Sequence, residues 1–358
     1  MKKIFTLFSI ALVLSACNIK KPAVGLEDQI FVVADSSEFE QLEPTLQSVF
    51  GKVIYTPQPE HLFSLKRKSI NDLERLKDKK NLIIAAPLNS GSYTSQYLGS
   101  ILDSAVTEMV LNDSVHVINR YDLWARNQLV MILTGKDIET MNRSIQEDAT
   151  NLLHYFQKLS QKRLSAKLYK SIYENKKLEA QLLKDYGWII YCQVDFHLAM
   201  NKPEENFVWL RRAPGSDVER WIFVHWIENA SPVLLEEDSV IALRNKITEK
   251  FYRASDNVSY VLIADDYKKT TEINFNGRYA LMTQGLWKMS DRSMGGPFIN
   301  YTFFDEKTRR LYMVDGSIYA PKYEKKSLIQ QVDVILQSFM TKEELTPERI
   351  EDLMDELE

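Results

Sequence analysis

The sequence predicts an α+β fold: two mixed or antiparallel sheet subdomains joined by a long helix, with amphipathic helices at the C-terminal end. Three observations predict it. Short apolar runs, "IFVVA" (30–34) and "NLIIAAPL" (81–88), read as buried strands and alternate with segments whose apolar residues recur every three or four positions. Residues 137–182 hold that helical spacing through Ile138, Met141, Ile145, Leu152, Phe156 and Leu159. Beyond residue 183 the chain becomes a series of alternating strands divided by turn residues. At 358 residues it exceeds the ~100–200 typical of one domain, so two subdomains, 28–182 and 183–340, are expected.

The chain starts with a leader. Lys2 and Lys3 are followed by an uncharged apolar run over 4–14, then by Ser15 and Ala16 before Cys17. This three-part order over 1–16 is that of a secretory signal, and the run is shorter than the ~20 residues of a spanning helix. Leu-Ser-Ala-Cys (14–17) resembles the lipobox of bacterial lipoproteins. That resemblance implies a diacylglyceryl group on the Cys17 sulfur, cleavage before Cys17, and acylation (palmitate) of the new N-terminus. It makes Cys17 the lipid-attachment residue and 17–27 a lipidated tether. No acidic residue follows in Asn18-Ile19-Lys20-Lys21. By resemblance to lipoprotein sorting rules, this implies the outer membrane, on its periplasmic side.

"DQIFVVAD" gives the first strand, with Asp35-Ser36-Ser37 as a turn or helix cap and a helix to about residue 50. Pro57 and Pro59 make the next stretch a loop or an edge. "SQYLGSILDSAVTEMVL" (95–111) reads as one helix, and two strands flank Tyr121-Asp122. Asp137 is placed to cap the long helix. Its basic side (Lys158, Lys162, Arg163, Lys167, Lys170) is either a solvated face or a contact for anionic headgroups. "WIIYCQVDFHLAM" (188–200) alternates as one strand, and two further strands flank Pro214-Gly215 as a hairpin. A helix over 238–255 precedes antiparallel strands at 270–282, 284–290, 298–305 and 309–320. Residues 305–308 are a turn, and Asp315-Gly316 reads as another turn or a bulge. An amphipathic helix over 325–339 leads to an acidic amphipathic tail, 341–358. In the tail Thr341 and Glu344 fit a capping box and Thr346-Pro347 fits a helix start. The tail either docks on its own domain or serves as a docking helix for a partner.

Composition restricts the function classes. Net charge is −4, or −6 once Lys2 and Lys3 leave with the leader, which argues against broad nucleic-acid binding. With Cys17 consumed by lipid, Cys192 has no intrachain partner, so stability rests on the core. Strand alternation over 188–200 points Cys192 away from His197 and puts Asp195 and His197 on one face. No HExxH, CxxC, GxSxG or phosphate-binding loop occurs, so no catalytic residue, metal or cofactor is assigned. His225, among large apolar residues, reads as a core histidine. An envelope hydrolase would have to assemble residues from distant segments, such as Asp195, His197 and Asp265.

One block carries a resemblance. Gly-Leu-Trp-Lys-Met (285–289), Met-Gly-Gly-Pro-Phe (294–298) and Ile-Tyr-Ala-Pro-Lys (318–322) resemble the Bacteroidota lipoproteins classed as domain of unknown function 4837. "FVVAD" (31–35), "PQPEHLFSL" (57–65) and "NLIIAA" (81–86) extend the resemblance over nearly the whole chain, with Phe39 where relatives tend to carry Trp. It implies an envelope lipoprotein and supplies no activity. The block also has its own reading: a sheet core with one demanding turn at Gly295-Gly296, or a binding groove beside that turn. Trp287, Gly295, Gly296, Phe298 and Tyr319 would line the groove, with Lys322 as polar handle. The expectation is a lipid-anchored, non-enzymatic protein that binds another envelope protein or a ligand.

Overall fold

A computed structural model describes residues 20–215 and 217–358. The leader and Cys17 lie outside the described residues. In chain order the elements are β1 (Gln29–Val33), α1 (Ser36–Phe50), β2 (Val53–Tyr55), β3 (Pro59–His61), β4 (Ser64–Lys68), α2 (Leu73–Leu76), β5 (Asn81–Pro87), α3 (Tyr93–Ile101), α4 (Ser104–Leu111), β6 (Val117–Tyr121), β7 (Leu129–Gly135) and α5 (Ile138–Glu147). They continue with α6 (Ala149–Leu168), α7 (Lys176–Tyr186), β8 (Trp188–Ile189), β9 (His197–Lys202), β10 (Phe207–Arg212), β11 (Glu219–Ile227), α8 (Glu237–Phe251), β12 (Val261–Phe275), β13 (Arg278–Met289), β14 (Gly295–Asp305), β15 (Arg310–Tyr319), α9 (Lys326–Leu336), β16 (Met340–Thr341) and α10 (Pro347–Met354). The fold is α+β.

The described residues divide into two compact units, 20–45 with 65–148 and 46–64 with 149–358. This differs from a division at 182/183. Residues 137–182 are not one helix: α5 stops at Asp148, and a second break covers 169–175. Asp137 does cap α5, accepting the Thr140 amide at 2.8 Å. The single helix expected over 95–111 is also two, because Leu102 is extended and Asp103 caps α4 through the Val106 amide.

The first unit is built on a sheet of order β4-β1-β5-β7-β6. β1, β5 and β7 are parallel, and β6 runs antiparallel to β7. Both β5 and β7 are buried at every residue, so "NLIIAAP" and "LVMILTG" are continuous apolar runs rather than alternating ones.

The second unit is built on a seven-stranded sheet of order β12-β13-β14-β15-β11-β10-β9, antiparallel at each pairing. Successive residues feed opposite faces: Phe223 packs with Val240 and Ile247 of α8, while Ile222 and Val224 join Val332 and Leu336 of α9. Three sequence expectations are corrected in this sheet. The strand expected over 270–282 is broken at Asn276-Gly277, both at positive φ, in the two-residue turn that joins β12 to β13. Asp315-Gly316 is neither turn nor bulge but the middle of β15. A Cβ on Gly316 would lie 2.1 Å from Val332 Cγ1, so glycine lets α9 rest on the strand. Gly295-Gly296 is likewise not the turn, which lies at 290–293 with Arg292 at φ 63°. The pair opens β14.

The tail folds back on its own unit. Thr341 donates its amide to Glu344 at 2.8 Å, and the Thr346 hydroxyl caps α10 through the Arg349 amide. Leu353 is fully buried against Ala180, Leu183 and Ile189.

Candidate functional site

The residues expected to line a groove lie on adjacent strands, yet they differ in access. Trp287 and Phe298 are each 1% exposed, Tyr319 is half-buried, and Lys322 is exposed. Trp287 Nε1 donates to the Ile318 carbonyl at 3.1 Å, and a Cβ on Gly296 would sit 2.0 Å from that oxygen. Gly296 therefore admits the carbonyl that anchors the indole, while a Cβ on Gly295 would meet the Trp287 carbonyl at 2.9 Å. Outward from Trp287 come Trp221, with ring centroids 5.1 Å apart, and Tyr319, stacked on Trp221 at 6.4 Å. Lys322 pairs with Asp217 at 2.5 Å. The side chains a ligand could reach at this edge are Trp221, Tyr319 and Lys322.

Beneath this layer lies a charge pair that sequence reading missed. Arg244 of α8 donates to both oxygens of Asp315, at 2.6 and 3.2 Å, and to Ser317. Asn300 donates to Asp315, and the guanidinium lies 3.8 Å from the centroid of Phe298. Arg244 and Asp315 are 1% and 0% exposed. An ion pair so buried survives because every carboxylate oxygen has partners. No local signal announced it, since Arg244 and Asp315 stand 71 residues apart.

The residues of the hydrolase alternative are not brought together. His197 is on β9 and Asp265 on β12, opposite edges of the seven-stranded sheet, six strand spacings of about 4.8 Å apart. Asp195 pairs with Arg212, and Asp265 with Lys288. The single strand expected over 188–200 is interrupted. Val194 donates to Tyr173 and Cys192 accepts from Asn175, so this stretch pairs with 173–175 and leaves Val194 exposed. Cys192 is a buried free thiol, and burial pushes its pKa well up. His225 is held neutral, because burial pushes it down to about 4.

A further cluster of buried charge joins α7 to α10. Glu179 of α7 accepts the Cys192 amide at 3.1 Å and Arg349 of α10 at 2.8 Å, and Glu174 pairs with the same guanidinium. Burial, helped by the Glu174 charge, pushes the Glu179 carboxyl up to about 8. A cleft of about 500 Å³ opens beside it, lined by Ser171, Glu174, Asn175, Lys176, Val194 and Glu356. Glu174 borders the cleft, whereas Glu179 is 1% exposed and holds α10 to α7. Its chemistry is a clamp on the tail. Among the described residues, no group of three or more His, Cys, Asp or Glu is placed to hold a metal ion.

In the first unit the expected tether is corrected. The Lys21 carbonyl accepts the Arg126 amide and Ala23 donates back to Arg126, both at 2.8 Å. Val24 donates to Asp78 and accepts from Lys80, and Lys80 pairs with Glu27 at 2.5 Å. Backbone hydrogen bonds thus tie Lys21, Ala23 and Val24 to neighbouring loops, so this part of the expected tether is folded structure. Among the described residues, no helix is long and apolar enough to cross a membrane.

Chain order now divides naturally at these features: a leader, the parallel-sheet unit, and the antiparallel sheet with its Trp287–Gly296 lock. Residues 174–338 match the domain of unknown function DUF4837. The matched segment runs from Glu174 through the seven-stranded sheet to the end of α9. The resemblance expected over nearly the whole chain is narrower than that: residues 23–169, which contain "FVVAD", "PQPEHLFSL" and "NLIIAA", match a different model, the domain of unknown function DUF8532. Residues 1–18 match the prokaryotic membrane lipoprotein lipid attachment site. No curated protein matches the chain. Among solved structures it is similar to the Saccharomyces cerevisiae Ran-binding protein Mog1p, at 10% identity and a TM-score of 0.30, over 44% of this chain and 90% of that one.

Proposed function

We propose that the chain is a Bacteroidota lipoprotein held through Cys17 on the periplasmic side of the outer membrane. There it serves as a non-enzymatic binding or accessory protein for another envelope component. The observation that carries the anchor is the attachment-site match over residues 1–18. Thioether-linked and amide-linked acyl chains together give a stable anchor where one chain gives a marginal one. The absence of an acidic residue over 18–21 supports the outer-membrane address.

The binding edge is Tyr319 and Trp221 with Lys322 beside them, backed by Trp287, Phe298 and the close strand approach at Gly295 and Gly296. An amphipathic aromatic edge with a charged rim suits a protein partner or a ligand with an apolar face. The test is site-specific photo-crosslinking in live cells from position 323, exposed beside Lys322, with partner identification. A defined adduct that Tyr319→Ala with Lys322→Ala abolishes, at unchanged melting temperature, is the expected result. If the same double variant leaves every adduct in place, this edge is not the binding surface.

A further inference from the structure

We propose that the end of the first unit from which β1, β5 and β7 start is seated on the phospholipid leaflet, in contact with its headgroups and upper acyl region. The proposal rests on the lipid anchor at Cys17 proposed above. Its force comes from how little chain separates that anchor from Lys21. The backbone of Lys21 is bound to that of Arg126. Four residues from Cys17 to Lys21 span at most about 14 Å. The headgroup layer of one leaflet takes up about 5–7 Å of that. Lys21 therefore lies within about 8 Å of the headgroup surface, no more than one Debye length at physiological salt.

What surrounds Lys21 fits that neighbour. The segment 21–24 threads between the β6–β7 turn and the loop before β5, both at the same end of the sheet. Val24, Leu26, Tyr121 and Leu123 are exposed there, with Leu26 at 65%. Lys20, Lys21 and Arg126 are exposed beside them. Lys20 Nζ reaches the Asp122 carbonyl at 2.5 Å, which ties the basic entry of the chain to the turn carrying Tyr121 and Leu123. The acids of this end are engaged: Glu27 with Lys80, Asp78 with Lys79, and the Asp122 side chain with the Asn127 amide. Apolar and aromatic side chains ringed by lysine and arginine are the composition of a membrane interface. Long basic side chains can lay their stems on the acyl boundary with their charges among phosphates.

The opposite end of the sheet then points away from the leaflet. β5 carries the chain about 20 Å, from Asn81 to Pro87. Tyr93, 73% exposed, stands past that end, its amide held by Asp35 at 2.9 Å.

The test uses the full-length lipidated chain with one environment-sensitive fluorophore, at Leu26→Cys, Leu123→Cys or Tyr93→Cys. Cys192 is buried and stays unlabelled. The protein is floated with phosphatidylethanolamine–phosphatidylglycerol vesicles whose acyl chains carry bromine quenchers. The chain floats, probes at 26 and 123 shift to the blue and lose emission, and the probe at 93 keeps its emission. If the chain floats but probes at 26 and 123 respond no more than the one at 93, the seat is wrong and the anchor stands. Shielding of 26 and 123 from an aqueous quencher without lipid quenching marks a protein occupant and also overturns the seat. A chain that does not float overturns the anchor and the seat together.

Discussion

Replacing Gly296 with Ala tests whether the Gly-Gly pair that opens β14 is there for packing. The added Cβ would lie 2.0 Å from the Ile318 carbonyl oxygen and 3.0 Å from Trp287 Nε1, where ordinary contact starts at 3.4 Å. Either the strands part by about 1.4 Å or the indole gives up its bond to that carbonyl. Overpacking of this kind costs about 1–3 kcal/mol. Leaving a buried N–H without its acceptor adds about 1–3 kcal/mol. Where both costs are met the loss is ~2–6 kcal/mol, a fall in melting temperature of roughly 4–24 °C for a unit of this size. Thermal unfolding of the lipid-free chain, followed by near-ultraviolet circular dichroism, reads the aromatic layer directly. Gly99→Ala is the control: nothing lies within 4 Å of its Cβ, and in α3 the change should stabilise by about 0.5–1 kcal/mol. An unchanged melting temperature for Gly296→Ala, with its near-ultraviolet signal intact, would refute the packing account and return the glycine to a ligand-facing role.

Two further outcomes follow from the buried charges. Arg244→Met should destabilise by about 3–5 kcal/mol, because Asp315 is left charged in the core, while Arg244→Met with Asp315→Asn should recover much of that in urea unfolding. Glu179 has a folded pKa raised above its unfolded value of about 4.3, so its contribution to stability is present at low pH and is lost as pH rises through about 8. The melting temperature should therefore fall from pH 5 to pH 9 more steeply in the native chain than in Glu179→Gln. Equal slopes would remove Glu179 as the cause.

The fold was legible where local pattern and tertiary role agree. Continuous apolar runs gave β5 and β7, and the caps at Asp137 and Thr346 were readable because a cap is made within three residues. The Asn276-Gly277 turn was also present in the sequence, but flanking alternation on both sides concealed it. The glycines at 295–296 and 316 are not the turn residues their sequence suggests, for one reason. A glycine needed for the approach of another strand or helix looks the same in sequence as one needed for a turn. Pairings between distant positions, Arg244 with Asp315 and Arg349 with Glu179, leave no local trace. The candidate edge is partly legible: Tyr319 and Lys322 lie within one short motif, while Trp221 comes from the neighbouring strand β11, distant in sequence.

The measurement that bears most directly on the account is the mass of the mature N-terminal peptide, taken from the membrane fraction by detergent extraction and proteolysis. The account predicts a peptide that begins at Cys17 and carries a thioether-linked diacylglyceryl group with an acylated amino terminus. A mature chain that begins elsewhere, or an unmodified Cys17 in membrane-bound protein, would contradict it.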